Sequence, residues 1–284
     1  MSSVILPAVP AEVAESLVEV APGVELRVLR SGSGPALVLL PGWTCSADFF
    51  VHQLTGLSDR FEVIAVDPRG HGGSSKPLDG NTFTQRGADL ACLLERLGLD
   101  RVVLLGWSFG VLDVLAYLRD HGTDRVSRVV LADETPKVPA DPADSSEWGE
   151  AVLSHDGIVA VIQAMINDRR EFWTGYAAYM LGLPEDTPAD HPDIARIVEL
   201  GFQTPDHVAT ATGADGLTSD FSGVAASVAA TVPTLFIARE DWAPDGRRWV
   251  EANLPDARFA TMAVHMGFAT DPEGFNALIR DFAG

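Results

Sequence analysis

Two hydrophobic rhythms run along this chain of 284 residues. Residues 16–20 and 24–30 alternate apolar and polar positions on either side of Pro22-Gly23. A period of two predicts a β-hairpin with one buried face. From residue 36 the rhythm changes to short, almost uninterrupted apolar runs at 36–40, 61–66 and 102–105, and further strands are read at 126–132, 232–238 and 257–262. Such runs predict strands covered on both faces, as in a parallel sheet. Helical periodicity fills the gaps. It runs over 50–57, over 85–97 with Leu90, Leu93, Leu94 and Leu97 on one side, onward from Gly110, and over 247–253 and 272–282. Strands alternating with helices predict an α/β fold, a mostly parallel sheet with helices on both faces, whose ligands gather at the carboxyl ends of the strands.

The alternation breaks once. Between residues 137 and 222 no buried strand is predicted; helical stretches at 158–166 and 172–181 are separated by turn-rich segments such as 183–188 and 190–193. The expected organisation is a core whose first part spans 1–136, an inserted helical cap, or lid, at 137–222, and a second core part at 223–284. The insert carries Trp148, Phe172, Trp173, Tyr176, Tyr179 and Phe202. Most are expected to pack the insert's own interior and the rest to face a pocket, which favours an apolar or aromatic substrate.

Chemistry first shows at Gly106-Trp107-Ser108-Phe109-Gly110, between the apolar run at 102–105 and a helical pattern. A turn tight enough to thrust one side chain forward strains its apex and brings strand and helix too close for flanking side chains. Glycine at both ends meets that demand, and Ser108 becomes a candidate nucleophile. Three further motifs occur in order. They are Leu40-Pro41-Gly42-Trp43, the run Asp-Pro-Arg-Gly-His-Gly-Gly-Ser at 67–74, and His265-Met266-Gly267-Phe268 ahead of Asp271-Pro272-Glu273-Gly274-Phe275. Together they resemble the α/β-hydrolase fold superfamily over nearly the whole chain.

A serine hydroxyl needs a base to remove its proton, and the base needs a carboxylate to orient it. The resemblance implies His265 as that base, since it follows the last strand; His52, His71, His121, His155, His191 and His207 are the other histidines. Two aspartates compete for the acid. Asp133 ends the run at 126–132, whereas Asp241 lies in the loop after 232–238, where relatives most often carry the acid. An ungapped alignment there would put the acid at Trp242, so Asp133 is taken first, Asp241 second and Glu134 third. The resemblance also implies an oxyanion hole made by the backbone amides of Trp43 and Phe109. Pro41 stands where many relatives have histidine.

Composition narrows the partners. Forty acidic against twenty basic residues give a formal charge of -20, with the acids scattered. That balance argues against nucleic acid and anionic membranes as partners and leaves a small-molecule substrate. Cys45 and Cys92 have neither CxxC spacing nor a disulfide framework, residues 1–10 lack the pattern of an export signal, and no apolar stretch approaches a membrane span. A cytoplasmic protein is expected. Neither metal-ligand spacing nor a Gly-x-Gly-x-x-Gly turn occurs, so no metal or organic cofactor is expected. The expected activity is that of a serine hydrolase cleaving an ester or related acyl bond of a small, fairly apolar molecule. The alternative is a cofactor-free dioxygenase of hydroxyquinolone-type substrates, which Pro41-Gly42-Trp43 and Asp133 resemble although residues 44–48 do not continue the likeness. A third reading is a ligand sensor that retains the triad but turns over slowly or not at all.

Overall fold

The computed structural model describes residues 5–141, 148 and 152–284. Within them β1 (Ala14–Ala21), β2 (Val24–Gly32), β3 (Ala36–Leu40), β4 (Glu62–Val66), β5 (Val102–Trp107), β6 (Val126–Ala132), β7 (Thr234–Arg239) and β8 (Arg258–Met262) form one sheet. Its order is β1-β2-β4-β3-β5-β6-β7-β8. β1 and β2 are the antiparallel hairpin that the alternation predicts, β2 runs antiparallel to β4, and the other pairs are parallel.

The helices are α1 (Val51–Gly56), α2 (Phe83–Arg96), α3 (Gly110–His121), α4 (His155–Asn167), α5 (Arg169–Met180), α6 (Pro192–Gly201), α7 (Asp206–Leu217), α8 (Ser222–Ala229), α9 (Ala243–Asn253), α10 (Gly267–Thr270) and α11 (Pro272–Ala283). The alternation of side chains along each central strand divides two cores. On β3, Val38 and Leu40 join the cluster that holds Leu93 of α2 and Leu112 of α3, whereas Leu37 and Leu39 join Leu54 of α1 and Ile279 of α11. Each fully buried side chain of this kind contributes roughly 1.5–3 kcal/mol. The parallel centre of the sheet therefore carries much of the stability, and β1, largely exposed, carries little.

Local chemistry sets the helix starts. Thr82 accepts the Gln85 N–H and begins α2 two residues before the periodicity does. α9 begins at Ala243 rather than 247 because Pro244 falls in its first turn, where a missing N–H costs nothing. Between β6 and β7, α4 packs on α5 and α7, α5 on α6, and α7 reaches α2; α8 returns to lie against α3.

Two crossovers matter for the site. The chain leaves β3 toward β4 on one side and returns to β5 on the other. A crevice therefore opens between the carboxyl ends of β3 and β5, where ligands collect in sheets of this kind. Here Gly106 pairs with Leu40. A Cβ on Gly106 would stand 2.2 Å from the Gly110 carbonyl oxygen, and one on Gly110 would stand 2.1 Å from the Leu40 oxygen. Both obstacles are backbone, so no side-chain rotation relieves them. Gly106→Ala is expected to destabilise the fold by about 1–3 kcal/mol or more, read as a lowered denaturant midpoint at unchanged slope.

Candidate active site

Ser108 stands at the apex of the β5-to-α3 turn in left-handed backbone, φ 52°. Its amide donates to the Ala132 carbonyl at 2.8 Å, tying the apex to the end of β6. Asp133, one residue beyond that strand, is also left-handed, at φ 54°. Such a conformation costs a non-glycine residue on the order of 1–3 kcal/mol and persists only where its surroundings enforce it. They do so here. The Asp133 amide donates to the Ile237 carbonyl at 2.7 Å, and Oδ1 accepts the Arg239 amide at 2.7 Å. Oδ2 then lies 2.6 Å from Nδ1 of His265.

His265 is fixed from three directions. Beyond the carboxylate, its carbonyl accepts Trp107 Nε1–H at 2.8 Å, and the next amide, that of Met266, donates to the Met180 carbonyl at the end of α5, at 2.9 Å. With Nδ1–H given to Asp133, Nε2 is the acceptor of the neutral ring. The Tyr176 hydroxyl is 3.5 Å from that nitrogen. Among the described residues no hydrogen bond joins Ser108 Oγ to His265; such contacts are commonly long in free enzymes and tighten around substrate.

The rival acid lies apart. Asp241 is 65% exposed and meets Arg239 Nε at 2.9 Å and its neighbour's amide, not His265. The other histidines serve elsewhere. His71 is fully buried with Nδ1 on the Arg69 carbonyl, and burial pushes its pKa well below the ordinary value, which keeps it neutral. His52 and His207 contact the carbonyls of Ile5 and Pro77.

The turn at Pro41-Gly42-Trp43 passes directly over Ser108: a Cβ on Gly42 would come within 2.8 Å of the serine Cβ. The Trp43 indole donates to the Ala209 carbonyl at 2.8 Å and so pins this turn to α7. Among the described residues the backbone amides of Trp43 and Phe109 make no hydrogen bond, which leaves two donors beside the serine.

Above these groups lies a cavity of about 360 Å³, walled by Trp43, Phe109, Phe172, Tyr176, Tyr179 and Trp242, with His265, Glu134 and Arg239 on its surface. The six aromatics singled out in the insert divide evenly. Phe172, Tyr176 and Tyr179 line this cavity, Trp148 and Trp173 are buried, and Phe202 stacks beneath the guanidinium groups of Arg169 and Arg170. A broader open groove beside α5 and α6 shares none of the residues that line this cavity. Arg239 is a member that sequence reasoning missed, and Glu134 was weighed only as an acid. Their signal was position, since both sit at the carboxyl ends of neighbouring strands.

Glu134 favours its protonated form. Burial, with Asp133 adding, pushes its pKa up to about 8, against the opposing pull of the Thr135 amide and Arg239. Among the described residues no cluster of His, Cys, Asp or Glu could hold a metal ion, and no helix is long and apolar enough to cross a membrane.

Comparison with known proteins bears on the family and the fold. The sequence profile of the alpha/beta hydrolase fold matches residues 35–157. A 2-(acetamidomethylene)succinate hydrolase of Mesorhizobium japonicum is 31% identical over 225 residues, covering 76% of this chain and 74% of that protein. A putative non-heme chloroperoxidase of Synechocystis sp. is 33% identical over 146 residues, 51% of each. The chain thus spans about half the length of the latter relative and of a non-heme haloperoxidase of Rhodococcus erythropolis. Among solved structures, a bromoperoxidase from Bacillus anthracis superposes with a TM-score of 0.84 at 23% identity, over 95% of this chain and 99% of that one. A hydrolase from Pseudomonas aeruginosa PA01 gives 0.76 at 28% identity, over 95% and 98%.

The raised Glu134 pKa has a measurable consequence for stability. Between the ordinary carboxylate range and about pH 8 the folded protein keeps a proton that the unfolded chain releases, so stability falls as pH rises through that window. Glu134→Gln removes the ionisation while retaining an oxygen for the Thr135 amide. Denaturant midpoints should show the variant gaining on wild type by on the order of a few kcal/mol across this window and levelling off above it.

Proposed function

Because this chain belongs to the α/β-hydrolase family, we propose that it is a serine hydrolase cleaving an ester or related acyl bond of a small, fairly apolar molecule. The observation that carries this reading is the 2.6 Å contact of His265 with Asp133 beside a left-handed Ser108. The two unengaged amides of Trp43 and Phe109 support it.

In this mechanism substrate binding brings Ser108 Oγ into reach of Nε2 of His265. Oγ attacks the acyl carbon as Nε2 takes its proton, and the carbonyl electron pair moves onto oxygen. The amides of Trp43 and Phe109 stabilise that oxyanion, already aimed when the charge develops. Asp133 stays ionised, holds the tautomer and stabilises the imidazolium. Collapse of the intermediate expels the alcohol or amine, which receives the proton from Nε2 and leaves an acyl-Ser108 ester. Water then repeats the sequence, giving the carboxylic acid and restoring the serine. The chamber lined by His265, Trp43 and Phe109 acts as the substrate pocket, with the α4–α7 insert as its lid.

One observation favours a second reading. The His265–Asp133 pair is assembled while Ser108 Oγ makes no hydrogen bond to it, and a hydroxyl, that of Tyr176, faces Nε2. A cofactor-free dioxygenase needs only that pair, to deprotonate an organic substrate that then reacts with oxygen.

A fluorophosphonate probe should label wild type and not Ser108→Ala, with loss of hydrolysis of short acyl esters. Unlabelled wild type that consumes oxygen with a hydroxyquinolone would transfer the assignment to the dioxygenase. For the acid, Asp133→Asn is expected to lower kcat by about 10⁴-fold with the fold intact, and Asp241→Asn by less than about tenfold.

A further inference from the structure

The aromatic wall of the cavity ends on a cation. Phe109 stacks on Trp43 at 5.6 Å between ring centroids, and Trp43 meets Phe172 edge-on at 6.0 Å. Phe172 stacks on Tyr176 at 6.0 Å and Tyr176 on Tyr179 at 5.6 Å. These last three lie on one face of α5, four and three residues apart. Beyond them the Arg239 guanidinium is held between two rings, 4.5 Å from the centroid of Tyr179 and 3.6 Å from that of Trp242.

Arg239 is only 4% exposed. Its Nε approaches Asp241 Oδ1 at 2.9 Å, a charge contact whose alignment falls short of a hydrogen bond. Its two terminal nitrogens form neither hydrogen bond nor ion pair among the described residues, although the side chain lines the cavity. A buried guanidinium is costly unless its planar fork is paired, and the partner that fits the fork in two parallel bonds is a carboxylate or a similar oxyanion. Glu134 does not fill that role: among the described residues it forms no ion pair with Arg239, its oxygen accepts the Thr135 amide, and burial favours its protonated form. General surface charge does not explain the cation either, because the chain as a whole carries a formal -20. The same residue's amide holds Asp133, which fixes the Arg239 backbone relative to His265, while the rings of Tyr179 and Trp242 hold the guanidinium itself.

We infer that Arg239 is the specificity-determining residue for a substrate carrying a carboxylate, with an apolar or aromatic body between that group and the scissile acyl bond. This assignment rests on the serine-hydrolase reading. The aromatic arc accommodates the body, and the terminal nitrogens of Arg239 receive the anion.

Two measurements test it. The first compares kcat/KM for mono-4-nitrophenyl esters of dicarboxylic acids, from succinate to suberate, with the neutral mixed diesters in which the free carboxyl is methylated. Wild type should favour at least one acid over its counterpart by about tenfold or more, chiefly through KM. Arg239→Met should abolish that preference, and Arg239→Lys, a point charge without the fork, should keep part of it. Neutral members cleaved as well as acids throughout, or a preference that survives Arg239→Met, would overturn the assignment while leaving the hydrolase standing. The second is calorimetric binding of 4-phenylbutyrate against 4-phenylbutyramide, which needs no turnover. Acid bound more tightly than amide by wild type supports the site even if every ester proves inert, a result that would sink the hydrolase alone. Equal affinity for acid and amide overturns it.

Discussion

Everything at the site depends on a serine held where serine does not rest. The left-handed backbone of Ser108 is imposed by a strand and a helix that approach more closely than any Cβ between them would allow, at Gly106 and Gly110. Because the central strands are parallel, their carboxyl ends share one side of the molecule. β5, β6 and β7 therefore deliver Ser108, Asp133 and Arg239 as neighbours, although the chain separates the second from the third by more than a hundred residues. Asp133 repeats the device on the adjacent strand. Two strained residues side by side, each locked by an amide hydrogen bond to the next strand, form a rigid frame against which His265 is held.

Much of that frame was legible in the sequence. Uninterrupted apolar runs predict strands buried on both faces, and the paired glycines around Ser108 predict the turn. The choice between Asp133 and Asp241 was not legible in the same way. Both follow an apolar strand closely, and what separates them is long-range: the Arg239 amide reaching across to one carboxylate, and solvent surrounding the other. Arg239 itself ends an apolar run two residues before an aspartate, which reads as a surface ion pair until its fork is seen between two rings.

The insert was the least readable part, for physical reasons. α7 contains Gly213 and Gly216 with two threonines and only a weak apolar stripe, so neither propensity nor period marks it as a helix. On α5 two faces compete. Phe172, Tyr176 and Tyr179 make one stripe and Trp173, Ala177 and Met180 another, and only the structure shows that the second is buried against α6 while the first meets the cavity.

The bond from the Met266 amide to the Met180 carbonyl joins the loop that carries His265 to the same helix that walls the cavity. Specificity and reactivity therefore share one mechanical part. In the proposed mechanism a displacement of α5 would pull on the loop beneath His265 and so couple the width of the chamber to the position of the base. Over evolutionary time the same linkage makes the insert a poor candidate for wholesale exchange. A helix grafted from a relative would have to reproduce this backbone contact as well as a new set of rings.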